Sequence, residues 1–220
     1  MRYRATWLLL LLLLLSVGGY AQDVRLKEVV VRPDLRKAVL GTKMKKADYG
    51  HGGSKNYPYY QTAYHIPASG QEGFIDRIGV YIYHKRSFPD LFRKPNSLHV
   101  YLYAVDSTGL PGKPLLPHPV SFRPRNNTYW HWIDISTYNL VLPEEGVFAA
   151  VSWPHATRDD SGPYVGMTNE CDSCPFYVYR FLTDDPVWIE VDQARSVEKG
   201  KGSEEEFNQN LMVRLEVSVK

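Results

Sequence analysis

Cysteine is scarce in this chain of 220 residues: there are two, Cys171 and Cys174, in Glu-Cys-Asp-Ser-Cys-Pro. With no second Cys pair and no His-x-x-x-His, a tetrahedral zinc site has too few ligands. The seven histidines, His51, His65, His84, His99, His118, His131 and His155, are scattered without metal-ligand spacing. No Gly-x-Ser-x-Gly elbow is present, so an α/β-hydrolase nucleophile has no seat. Tyr49-Gly-His-Gly-Gly-Ser lacks the glycine spacing and the Gly-Lys-Ser/Thr ending of a phosphate loop, and reads as a flexible loop. Asp159-Asp160 and Glu144-Glu145 are sequence neighbours that point apart on extended chain, so neither makes an acid/base couple. These patterns give no catalytic residue, no metal ligand and no cofactor site. A glycan-acting hydrolase with carboxylates from distant strands stays open as a third reading.

Charge of one sign is lacking too. Lys and Arg outnumber Asp and Glu by 26 to 24, and the excess is Arg2 and Arg4. The rest of the chain balances, which removes the electrostatic case for nucleic-acid binding. The one long hydrophobic run, Leu8 to Leu15, is short of the ~20 residues of a membrane span. Met1-Arg-Tyr-Arg4, that run and Ser16-Val-Gly-Gly-Tyr-Ala21 form the charged, apolar and small-residue parts of an export signal. Residues 1–21 are expected to be removed after Ala21, leaving no transmembrane segment in the mature chain. No cysteine follows the apolar run, so a lipoprotein anchor is not indicated. The expected location is periplasmic, outer-membrane-associated or secreted. In such a compartment Cys171 and Cys174 read as a local disulfide across a turn.

What the sequence has in quantity is alternation. Leu98, Val100, Leu102 and Ala104 alternate with His99, Tyr101 and Tyr103, the period of a strand with two unlike faces. Asp106 to Pro114 breaks the pattern with turn residues. Tyr129, Trp130, Trp132, Ile133 and Ile135 resume it, Pro143-Glu-Glu-Gly146 turns the chain, and Val147 to Trp153 follows. Further strands are expected over Tyr59 to Ile66, Phe74 to His84 with Ile78, Val80 and Ile82 inward, Tyr164 to Met167, Phe176 to Leu182, Val187 to Val191 and Leu211 to Val219. The prediction is an all-β fold: a single antiparallel β-sandwich or jelly-roll-like domain over 49–220. Before it, 22–48 is expected to be an extended arm and linker, with Leu35 to Lys46 a solvated linker or short helix. Within the arm, Val24, Leu26, Val29, Val30 and Val31 could add a strand to a partner's sheet edge.

Aromatic residues are abundant, with 16 tyrosines and 5 tryptophans, too many for one inner face. Flat rings with a polar rim suit sugar faces and protein interfaces alike. Tyr101, Tyr103, Trp130 and Trp132 are the first candidates for a common exposed patch.

Two passages carry a resemblance. Leu26-Lys-Glu-Val-Val-Val31 resembles the end of the carboxypeptidase-regulatory-like domain of exported Gram-negative proteins, and the lead-in to the plug of TonB-dependent receptors. Val100-Tyr-Leu-Tyr103, Leu110-Pro-Gly-Lys-Pro-Leu115, Trp132-Ile-Asp-Ile135 and Gly146-Val-Phe-Ala-Ala-Val-Ser-Trp153 resemble the β-sandwich that often follows such regulatory domains. The resemblance implies an envelope or secreted accessory protein and brings no catalytic residues with it. The expected function is therefore non-enzymatic binding of an envelope protein. The alternative is a carbohydrate-binding module that uses exposed Tyr and Trp.

Overall fold

A computed structural model describes residues 35–52, 61–83, 96–124, 129–154, 163–168, 176–180, 187–190 and 210–219. In chain order the strands are β1 Arg36–Gly41, β2 Tyr49–His51, β3 Gln61–Ile66, β4 Gly73–Tyr83, β5 Leu98–Val105, β6 Pro111–Pro114, β7 Val120–Phe122 and β8 Trp130–Asp134. They continue as β9 Leu140–Val141, β10 Val147–Ser152, β11 Tyr164–Thr168, β12 Phe176–Arg180, β13 Val187–Glu190, β14 Asn210–Leu211 and β15 Val213–Val219. Among the described residues the only helical element is a 3₁₀ turn, Ser136–Tyr138. None of them forms a helix long and apolar enough to cross a membrane.

These strands make two antiparallel sheets packed face to face, an all-β sandwich. The first sheet runs β1-β15-β4-β11-β14, with β8 and β9 also on β4 and β2 on β11; the second runs β13-β12-β3-β10-β5-β6, with β7 on β5. The alternation read from the sequence sets which side chains meet. Ile78, Val80 and Ile82 of β4 and Val213, Leu215, Val217 and Val219 of β15 face Leu98, Val100 and Leu102 of β5 and Val147, Ala149 and Val151 of β10 in one continuous core. Each aliphatic side chain buried this way contributes roughly 1.5–3 kcal/mol relative to exposure. Strand β10 lies between β3 and β5, and all six of its residues are buried. Its unbroken apolar run is what a strand covered on both faces requires.

A bulge shapes the outer side of the first sheet. Opposite β15, Glu216 pairs with Arg77 and Val217 with Ile75, so Asp76 is an extra residue on β4. The extra residue lets Ile75 and Ile78, three apart, both face the core, and turns Asp76 and Arg77 outward. Turn chemistry is as expected at Pro143–Gly146: Gly146 sits at φ +86° and its N–H donates to the Pro143 carbonyl at 3.0 Å. At the tip of the β5–β6 hairpin Asp106 Oδ1 accepts from the N–H groups of Thr108 (2.8 Å) and Leu110 (3.0 Å) and from Thr108 Oγ1 (2.6 Å). These bonds, led by the Thr108 hydroxyl, hold the Asp106 carboxyl below its ordinary range.

Three local expectations need correction. The stretch read as a linker or short helix contains edge strand β1, paired residue for residue with β15 from Arg36↔Val219 to Gly41↔Arg214. Ala38 and Leu40 pack against the core while Lys37 and Val39 face out, an alternation hidden by the basic residues around it. The sandwich therefore takes in residue 36 and does not start at 49. Tyr49–His51, read as loop, pairs with β11, and Pro111–Pro114, read as turn, pairs with β5. The export signal 1–21, the arm residues Val24, Leu26, Val29, Val30 and Val31, and Cys171 and Cys174 lie outside the described residues.

Candidate functional site

The four aromatic candidates come together in two pairs, not as one patch. Trp130 and Trp132 stand on β8, in the first sheet; Tyr101 and Tyr103 stand on β5, in the second. Both pairs point away from the shared core, so they occupy opposite outer faces of the sandwich. Alternation along β5 sets Tyr101 and Tyr103 opposite Leu98, Val100 and Leu102, but in the sequence it assigned no face to Trp130 and Trp132. It could not say which sheet each strand would join.

On the second sheet, the described rings of the outer face pack against one another and against the sheet. Ala63, Phe148 and Ala150 form a small buried cluster with Tyr101, Tyr103 and Trp188 against it. Tyr101 and Tyr103 stack at 6.0 Å and 12°, Trp188 meets Tyr103 edge-on at 5.5 Å, and His65 lies on Phe148 at 4.9 Å. The phenol groups find partners within the sheet: Tyr103 Oη donates to Gln61 Oε1 at 2.7 Å, and Tyr101 Oη lies 3.3 Å from Ser152 Oγ.

On the first sheet, glycines make room for rings. A Cβ at Gly79 would stand 3.0, 3.0 and 3.1 Å from Cε3, Cζ3 and Cη2 of Trp132. Near-equal distances to three consecutive ring atoms put the glycine under the face of the indole, not its edge. Gly79 and Trp132 are register partners across β4 and β8, so a flat ring rests on bare backbone where any other residue would lift it. Gly166 does the same for Tyr81: a Cβ there would come 2.5 Å from the ring. Tyr81 in turn stacks on Tyr129 (5.6 Å, 27°) and meets Trp130 edge-on at 5.4 Å. Trp130 and Trp132 sit 6.3 Å apart at 26°. Trp132 remains 36% exposed and Tyr129 54%.

Around the rings runs a row of charge. Arg77 Nε donates to Glu216 Oε1 at 2.9 Å and its Nη2 to the other carboxylate oxygen; its Cζ lies 5.4 Å from the Trp132 ring. Lys37 binds Asp76 and reaches Glu216 at 3.6 Å, and Ser218 Oγ donates to the same Asp76 oxygen. Arg214 Cζ lies 4.0 Å over the Trp130 ring, its Nη2 donating to the Met44 carbonyl at 2.7 Å. Asp134 Oδ1 accepts from Ser136 N–H at 2.9 Å and Ser136 Oγ at 2.7 Å. The Glu216 bond raises the Arg77 pKa, and the Ser136 hydroxyl, with Ser136 N–H and Arg77 behind it, lowers that of Asp134. Burial raises Tyr81.

The chemistry this arrangement offers is recognition: flat π surface bordered by fixed donors and acceptors. Asp76 and Glu216, the two carboxylates that converge, meet through Lys37 and are bound by cations. Among the described residues no group of three or more His, Cys, Asp or Glu is placed to hold a metal ion. Sequence reasoning missed Gly79, Arg77, Arg214 and Asp134. Gly79 had a signal, since a glycine inside the apolar run Ile78-Gly-Val80 marks a close approach. Arg77 and Arg214 had none, because their partners lie far away in sequence, whereas Asp134 had the local signal of Ser136 two residues on. No protein-family model matches the chain, and no curated protein matches it.

Proposed function

We propose that this chain is an exported, non-enzymatic binding β-sandwich whose working surface is the outer face of the first sheet, centred on Trp132. The observation that carries the reading is the seat of Trp132 on Gly79, one face against backbone, with the residue more than a third exposed. Large amphipathic rings held flat and open bury much area on contact at little cost in side-chain freedom. The N-terminal charged, apolar and small-residue pattern supports export.

The test uses full-length protein immobilised and exposed to detergent-solubilised envelope extract, beside Trp132→Ala and the double variant Tyr101→Ala/Tyr103→Ala. A component retained by the parent and by the tyrosine variant but lost from Trp132→Ala is the expected result. Retention that ignores Trp132 would overturn the reading and shift attention to the segment around Val24 to Val31.

A further inference from the structure

The charges nearest Trp132 on the outer face of the first sheet each have a partner, in an ion pair or in a hydrogen bond. Lys37, Arg77 and Arg214 stand against Asp76, Glu216 and Asp134. Lys37 is held by Asp76 and Glu216, Arg77 by Glu216, and Arg214 by the carbonyls of Thr42 and Met44. Exposed Lys43, Lys45 and Lys46 lie farther along, on the segment whose Met44 and Ala47 pack beside Trp130 and Tyr81; at Trp132 itself an ionic partner meets charges that already have partners. What remains is the open side of the Trp132 ring with directional polar atoms at its rim. Two residues along β8, Asp134 Oδ1 accepts from Ser136 N–H and Oγ, while no hydrogen bond reaches its Oδ2 among the described residues. The Arg77 guanidinium, fixed through Nε and Nη2, stands beside the same ring.

A sugar ring has matching chemistry: a flat C–H face for the indole, and peripheral hydroxyls that donate to a carboxylate and accept from a guanidinium. Building on the reading of this face as the binding surface, we infer that its ligand is an uncharged glycan, with one ring stacked on Trp132 and its hydroxyls on Asp134 and Arg77.

Full-length protein is titrated with cellohexaose, xylohexaose and chitohexaose, followed by tryptophan emission and by heat. The expected result is saturable binding of at least one, with affinity changing less than about twofold between about 0.15 M and about 1 M salt. Trp132→Ala weakens it by about tenfold or more, while Trp132→Phe, which keeps a ring, retains most of it. Gly79→Ala keeps the indole but lifts it from the sheet, and weakens binding as well. Tyr101→Ala leaves it unchanged. The inference is overturned if none of the three sugars binds, if binding survives Trp132→Ala, or if it collapses with salt. If no sugar binds and Trp132→Ala still loses a component of the envelope extract, such as a protein, the glycan inference falls and the binding face stands. If neither responds to Trp132, both fall.

Discussion

The two outer faces of this sandwich both carry aromatic rings and, among the described residues, seat them differently. On the second sheet the rings cover Phe148, which is 1% exposed, and both tyrosine hydroxyls find partners inside the sheet. On the first sheet glycines bring Trp132 and Tyr81 down onto the backbone, and ion pairs settle the charges around them. Both faces bury polar and apolar atoms; among the described residues, the first leaves Trp132 seated on backbone and more than a third exposed. Aromatic content by itself therefore says little about where a β-sandwich binds. What the ring rests on, and whether its polar tip is already satisfied, separates the packed face from the one proposed to bind.

The comparison can be broken most severely at Phe148. Phe148→Ala empties the centre of the packed face and is expected to cost about 3–5 kcal/mol, read as a lowered denaturant midpoint. A loss well under 1 kcal/mol would mean that the second face does not depend on its rings for stability. Tyr103→Phe removes one hydroxyl and leaves Gln61 Oε1 without its 2.7 Å donor. The expected loss is about 1 kcal/mol, because a half-buried amide can turn to water. Trp132→Ala should cost less stability than Phe148→Ala while abolishing what the face binds.

The smallest effect concerns acid. Because Ser136 holds the Asp134 carboxyl below its ordinary range in the folded chain, the unfolded chain takes up that proton first. Asp134 thus contributes stability that is complete above the ordinary carboxylate pKa and is lost as pH falls through its lower folded value. With Asp134→Asn that part of the acid sensitivity should disappear, seen as a shallower fall of melting temperature below about pH 4. Since Asp134 is exposed, the change is small. A steeper fall would show that the Ser136 bonds do not stabilise the carboxylate.

Much of the fold was legible because alternation is a local property. Ile78, Val80 and Ile82 announced an inward face, and the structure places them in the shared core. Strand β1 was illegible for the opposite reason. Its basic residues look like a solvated segment until Lys37 meets Asp76 and Ser218, which lie 39 and 181 positions away. The site divides in the same way. Trp130 and Trp132 could be named as candidate rings, but their face, and their separation from Tyr101 and Tyr103, depend on which sheet β5 and β8 join. The charged rim, formed by Arg77, Glu216, Asp134 and Arg214, exists only once three strands are side by side.

The most direct measurement sets Trp132→Ala against Tyr101→Ala/Tyr103→Ala, with thermal midpoint and retention of envelope components read on the same samples. The account predicts that Trp132→Ala keeps a midpoint close to the parent and loses retention, while the tyrosine variant melts lower and still retains while folded. The reverse pattern, with retention following the tyrosines and stability following Trp132, would contradict it.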